Sequence, residues 1–255
     1  MWSREVLKNR AKAVLKISYW KAFLVSLVLA IIGGNENSSF NLNWNSGNRT
    51  STNGYTPFPE IITNIFPFLL LITVTIIIVL FLFAVAFRIL VGYPLEVGGR
   101  RFFVQSSQNN VDLNYLGYGF GNGKYLNIVT TMLWRSILTF LWTLLLIVPG
   151  IIKTYAYRMV PYILSDNPNI SRTRALELSD KMTDGNKMDM WILDLSFIGW
   201  YLLGTILLFV GVLFVMPYEN ATKAELYLEL RKDALDQGIC SYEELQLKQP
   251  LNIDL

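Results

Sequence analysis

The stretch from Phe68 to Phe87 lies within the longest uncharged part of this chain, residues 61–87, and contains only apolar residues and two threonines. As one helix these residues would extend about 30 Å, which is the thickness of the hydrocarbon core of a bilayer. A helix that is apolar on every side has no polar face to turn towards water, so it is buried in a protein or in a membrane. The stretch therefore predicts a transmembrane helix, and the organisation of the rest of the chain becomes a question of membrane topology.

Composition agrees with a membrane location. Of the 255 residues, 53% are hydrophobic and 16% are charged, whereas about 25% are charged in an ordinary soluble domain. The net charge of +3 gives no reason to expect a nucleic-acid partner. The chain has no histidine and one cysteine, Cys240, so we expect neither an internal disulfide nor a bound metal or other cofactor.

The N-terminal 20 residues carry a regular pattern of positive charge. Arg4, Lys8, Lys12 and Lys16 recur every four residues, and apolar residues at helical spacing share the opposite side. The pattern predicts a basic amphipathic helix on the membrane surface over residues 1–20. Because basic flanks remain in the cytoplasm, it also predicts a cytoplasmic N-terminus. No small-residue cleavage pattern follows, so we expect no removed signal peptide.

A membrane domain is predicted over residues 21–217. Its first apolar run, Ala22 to Gly34, is short and leads into an Asn-, Ser- and Thr-rich loop at 35–60, which we expect outside the cytoplasm. After the long apolar run, the segments 92–124 and 165–188 are predicted to be cytoplasmic. Residues 218–255 are predicted to form a cytoplasmic amphipathic helix and tail.

The apolar runs in the second half of the membrane domain are interrupted by charge or by proline. Lys124 to Val148 is long enough to span but carries Arg135, and Pro149-Gly150 predicts a helix break. Ile151 to Leu164 is too short to cross comfortably. Met190 to Pro217 is apolar apart from Asp194, and either one tilted span or a tight hairpin fits it.

An internal repeat favours the hairpin. Three times a polar segment enters an apolar run through a lysine, at Lys21, Lys124 and Lys187, and three times an apolar run leaves through a proline, at Pro94, Pro161 and Pro217. If these three lysines and these three prolines are all cytoplasmic, the fold is an all-α integral membrane protein. It then has about six membrane segments in three helical hairpins, some short or broken, with amphipathic cytoplasmic helices and both termini inside.

Two charges fall within these apolar runs. Counted along continuous helices, Arg135 lies about 16 Å beyond Lys124 and Asp194 about 10 Å beyond Lys187. An unpaired charge at either depth would cost several kcal/mol. We therefore predict that Arg135 and Asp194 form an intramembrane polar pair.

Several blocks in fixed order resemble the domain-of-unknown-function family nine hundred and seventy-five. They are Pro94–Phe103, Ile147–Ile152, Leu164–Pro168, Leu195–Trp200 and Pro217–Tyr227. The resemblance runs from about residue 5 to residue 230. It implies a multi-pass protein of the plasma membrane of Gram-positive bacteria, and it implies no activity, substrate or catalytic residue.

The sequence favours a function other than catalysis. It lacks the motifs of intramembrane proteases and the Gly-Lys-Ser/Thr ending of a phosphate-binding loop. One hypothesis is a membrane scaffold or regulatory subunit that contacts lipid headgroups or a membrane-protein partner through Glu96, Arg100, Arg101, Arg172 and Arg174. The alternative is a transporter or permease component for a small solute, because broken helices and buried charges recur at solute sites.

Overall fold

The computed structural model describes residues 3–31, 60–121, 123–206 and 210–248. Every regular element in these ranges is helical, which confirms the all-α class. The predicted loop at 35–60, apart from its last residue, and the end of the tail at 249–255 lie outside the described residues. The α-helices are α1 (Arg4–Ile31), α2 (Glu60–Phe87), α3 (Tyr93–Ser107), α4 (Tyr125–Leu145), α5 (Ile147–Ala156), α6 (Val160–Asp166), α7 (Arg172–Thr183), α8 (Lys187–Ile206) and α9 (Val210–Asp236).

Helix α2 contains the long apolar run. All residues from 68 to 87 are exposed, and the hydroxyls of Thr73 and Thr75 donate to the carbonyls of Leu69 and Leu71 one turn earlier. Two described helical stretches are long and apolar enough to cross a membrane, Phe68–Ser107 and Tyr125–Leu145. The predicted span at 68–87 therefore forms a helix whose polar groups are satisfied internally, as hydrocarbon requires.

Helix α3 continues from α2 through a π-helical turn, Arg88–Gly92, and lies at the centre of the folded body. Val97, Phe102, Phe103 and Val104 are fully buried, and α3 packs against α1, α6 and α9. Phe102 and Phe103, which belong to the segment predicted to be cytoplasmic, are therefore core residues.

Helices α4 and α5 form a hairpin whose break lies at Leu146, not at Pro149-Gly150. Leu146 has extended backbone angles (φ −156°, ψ 136°), and Pro149 is the third residue of α5. First-turn N–H groups have no partner within the helix, so a proline is tolerated there. Gly150 packs directly on α4, because a Cβ at this position would lie 2.6 Å from the Cα of Thr143.

Helices α1, α8 and α9 pack side by side. Helix α1 is continuous across the predicted boundary at residue 20, with a kink at Ser18, and its face of Leu7, Ala11 and Leu15 is buried in the core of the body. Gly204 near the end of α8 and Gly211 near the start of α9 allow the two backbones to touch. Residues 190–217 are therefore divided between two helices, and Pro217 lies inside α9.

Candidate functional site

Glu96 on α3 is the acceptor of a buried charge cluster. Its Oε2 accepts a hydrogen bond of 2.9 Å from Arg88, and its Oε1 lies 3.7 Å from Nη1 of Arg135 on α4. In a regular α-helix, residues 88 and 96 would differ by about 80° around the axis, and the extra residue of a π-helical turn reduces this to about 20°. The π-helical turn at 88–92 thus brings Arg88 onto the face of Glu96.

Asp194 on α8 is the acceptor of a second cluster. Its Oδ2 accepts hydrogen bonds from Arg158 at 2.6 Å and from the hydroxyl of Tyr155 at 2.9 Å. Its Oδ1 lies 4.0 Å from Nζ of Lys223, which is 2.8 Å from Glu219 on the same helix, α9. The hydroxyl of Tyr201 donates to Glu219. Two acidic and two basic side chains make this cluster formally neutral.

The structure gives Arg135 and Asp194 different ionic partners, so they do not form the predicted pair. Arg135 faces α3 and Glu96, whereas Asp194 faces the end of α5 and Arg158. Counting depth along each helix placed both charges near one level, but it carried no information on the direction in which each side chain points. Glu96 was assigned to the surface, although it is the carboxylate that Arg135 contacts.

A cleft between α5 and α8 reaches the Asp194 cluster. It has a volume of about 350 Å³ and is lined by Tyr155, Asp194 and Tyr201 together with Trp191, Leu195, Ile198, Leu202 and Thr205. A neighbouring cavity of about 540 Å³ shares Tyr155 and Trp191 and is otherwise lined mainly by apolar residues. The cleft thus presents one carboxylate and two phenols among mainly apolar side chains.

The predicted headgroup or partner contacts differ widely in exposure. Glu96 is 2% exposed and Arg100 is 1% exposed, which corrects the expectation that these two side chains face lipid or a partner. Arg100 donates to Asn220 on α9 at 2.8 Å and stacks on the ring of Tyr162 on α6. It therefore joins three helices of the body. The nearby Arg101 donates to the carbonyl of Ser165 and lies 3.9 Å from the ring of Tyr118.

Helix α7 carries the other two predicted contacts. Arg172 is exposed, whereas Arg174 holds the C-terminal segment through bonds to Glu244 (2.6 Å from Nε) and to the carbonyl of Ile239 (2.7 Å). The hydrogen bond from Arg174 holds the pKa of Glu244 below its ordinary value. Of the five residues predicted to contact lipid or a partner, only Arg172 is exposed, and its contact with a partner stays a prediction.

Several buried polar residues were not predicted from the sequence. Asp166 accepts from Tyr227 at 2.6 Å and from Arg231 at 2.7 Å, and Glu219 and Lys223 belong to the Asp194 cluster. A signal for Glu219 was present, because a carboxylate two residues after proline and a base four residues later occur twice. The two occurrences are Pro94-x-Glu96-x-x-x-Arg100 and Pro217-x-Glu219-x-x-x-Lys223. In both, the acid and the base are buried.

Comparison with known proteins gives a family but no activity. No group of three or more potential metal ligands is found in the described part of the chain. No curated protein and no solved structure matches the sequence. The family described as "Protein of unknown function (DUF975)" matches residues 58–234, which is well over half of the chain and includes both charge clusters. The chain therefore belongs to the DUF975 family.

Proposed function

We propose that this chain is a multi-pass protein of the bacterial plasma membrane that acts as a non-enzymatic scaffold or regulatory subunit. The membrane location is supported by α2, where 20 consecutive residues without a charge are exposed on every side. Large β-branched and aromatic side chains cover this helix. Packing between membrane helices favours small residues, so lipid is the better match to its surface.

The proposed topology has six membrane segments. Besides α2 and α4, the candidates are the apolar helix at Ser18–Leu29, the start of α5, the end of α8 and the start of α9. Helix α5 has 10 residues and is only about 15 Å long, so it would penetrate part of a bilayer. The α4–α5 and α8–α9 pairs support hairpins that enter and leave on one side, which is the cytoplasmic side in this proposal.

Reporter fusions test the topology. We expect an external signal after Asn48 and internal signals after Gln108, after Lys181 and at Leu255, because basic flanks favour the cytoplasm. An external signal at Leu255 would mean that α8 and α9 together cross once, and it would overturn the arrangement in three hairpins.

The scaffold role is carried by one observation: the buried ion pairs join different helices. Glu96 with Arg135 links α3 to α4, Asp194 with Arg158 links α8 to the turn after α5, and Asp166 with Arg231 links α6 to α9. These carboxylates are used within the chain to hold helices in position. Such a body suits presentation of a fixed surface to another membrane protein.

Site-specific photo-crosslinking in native membranes tests this role. A crosslinker at exposed Arg172 is expected to give a discrete protein adduct that survives purification in mild detergent. The control position is Leu144 on the apolar part of α4, which is also exposed and is expected to give lipid adducts. Absence of protein adducts at Arg172 and at the exposed Lys181 of the same helix would contradict a scaffold that uses this face.

The alternative function is a transporter or permease component for a small solute, and the α5–α8 cleft favours it. A solute bound beside Asp194 should raise the unfolding temperature of the purified chain, and Asp194→Asn should abolish that rise. Asp180→Asn is the control, because Asp180 is bonded to Lys153 and Lys187 and does not line the 350 Å³ cleft. A solute that stabilises both variants equally does not use the cleft.

A further inference from the structure

A groove separate from both charge clusters runs between α1 and the α8–α9 pair. Its volume is about 700 Å³, which lies within the usual range of small-ligand sites. One wall is a single face of α1, formed by Lys12, Leu15, Lys16 and Tyr19. These residues follow the i, i+3, i+4, i+7 spacing that places side chains on one side of a helix.

The opposite wall is aromatic and apolar. It consists of Trp200 from α8 with Phe214, Val215 and Tyr218 from α9. Trp200 is 53% exposed and Phe214 is 46% exposed, so the rest of the described chain covers these large rings only in part. The groove is therefore open along its length to whatever surrounds the protein.

The groove has a charged end and an apolar end. At the charged end, Nζ of Lys12 lies 5.9 Å from the ring centre of Tyr218. At the other end, Phe23, two turns further along α1 than Lys16, packs on Phe214 at 5.7 Å. Helix α1 enters its apolar segment between these two points, at Ser18. Positive charge therefore lies where α1 leaves the proposed membrane, and apolar surface lies where α1 is inside it.

An exposed tryptophan and an exposed lysine follow the groove residues of α1. Trp20 is 71% exposed and is followed by exposed Lys21. Exposed aromatic and basic side chains at one height are typical of the boundary between lipid headgroups and acyl chains. The charged end of the groove is thus at headgroup level, with Lys12 and Lys16 free to extend towards a phosphate.

We infer that this groove binds one anionic glycerophospholipid, with its phosphate at Lys12 and Lys16 and an acyl chain along Trp200, Phe214 and Val215. The inference rests on the proposed membrane location. An acidic protein segment would match the lysines but not the apolar end. A neutral lipid would match the apolar end but not the lysines. An anionic phospholipid matches both ends in the observed order.

Native mass spectrometry of the detergent-solubilised full chain tests the inference. The probes are palmitoyl-oleoyl phosphatidylglycerol and the matching phosphatidylcholine, added in equal amounts. We expect one retained phosphatidylglycerol in preference to phosphatidylcholine. The variant Lys12→Gln/Lys16→Gln should lose about thirty-fold in apparent affinity, because each basic residue near an anionic surface contributes about fivefold.

The control is Arg4→Gln/Lys21→Gln, which removes the same charge from exposed positions of α1 outside the groove. It should retain the lipid, and Lys12→Arg/Lys16→Arg should retain it as well. The variant Trp200→Ala should weaken retention without changing the preference for the anionic headgroup. Inorganic phosphate at millimolar concentration should not displace the lipid.

Three results would overturn the inference. They are equal retention of the two lipids, equal loss in the control variant, and displacement by inorganic phosphate, which would reveal a simple anion site. Each leaves the membrane proposal intact. A chain that remains monodisperse without detergent or lipid would instead refute the membrane location itself.

Discussion

Replacement of Glu96 by glutamine should strongly destabilise the chain. The carboxylate is buried, accepts from Arg88 and lies within ion-pair distance of Arg135. Glutamine keeps the shape of the side chain and removes its negative charge. The two guanidinium groups would then face each other around a neutral amide.

The size of the effect follows from the exposure of each partner. Arg135 has 14% of its side chain exposed, and removal of one member of such a buried pair costs about 3–5 kcal/mol. The side chain of Arg88 is 32% exposed, so solvent screening reduces its share to on the order of 1 kcal/mol. We therefore expect Glu96→Gln to lower the free energy of unfolding by about 3–5 kcal/mol. Arg135→Gln should lower it less, and Arg88→Gln should lower it least.

The single cysteine provides the assay. Cys240 is buried, and burial raises the pKa of its thiol to about 11, so a thiol-reactive fluorophore should label it mainly on unfolding. Labelling is followed in detergent against temperature or denaturant, with Glu5→Gln as the control because Glu5 is exposed. Wild-type stability in Glu96→Gln, or strictly additive losses in the Glu96/Arg135 double-mutant cycle, would refute the reasoning.

Three further predictions use the same assay. Asp194→Asn should lower the free energy of unfolding by about 3–5 kcal/mol, because Arg158 is buried against Asp194. Tyr155→Phe should lower it by about 1 kcal/mol. Equal losses in the two variants would contradict the role of Asp194 as the main acceptor of the cluster. Gly150→Val should destabilise the α4–α5 hairpin by about 1–3 kcal/mol, since a Cβ there meets the backbone of Thr143, and the exposed Gly199→Val, with open space at its Cβ, is the control. Because the pKa of Glu244 is lowered in the folded chain, its pairing with Arg174 stabilises above the ordinary carboxyl pKa and is lost as the pH falls through the folded pKa. Glu244→Gln should therefore reduce the loss of stability in acid, and an unchanged acid profile would count against this pairing.

Features that depend on one segment at a time were predictable from the sequence. Length and the absence of charge alone predict the apolar helix at 68–87, and the four-residue spacing of Arg4, Lys8, Lys12 and Lys16 predicts an amphipathic α1. The ordered sequence blocks also indicate the family without reference to geometry. In each case the physical cause is local: backbone hydrogen bonds close within one helix, and periodicity sets which side chains share a face.

Features that depend on contacts between distant segments were decided by tertiary structure. The sequence of α3 contains Glu96, Arg100 and Arg101, and such charge suggests a surface segment. It becomes the centre of the body because Arg88, Arg135 and Asn220 supply the partners that burial requires.

The position of the helix break and the partner of Arg135 were also decided by packing between helices. A proline is acceptable within the first turn of a helix, so Pro149 fits a break at its own position or three residues earlier. Packing of Gly150 on Thr143 accompanies the break at Leu146. Likewise the depth of a charge along its helix can be counted from the sequence. The direction in which Arg135 points depends on how α4 is rotated against α3, and that rotation is set by side-chain packing across the interface.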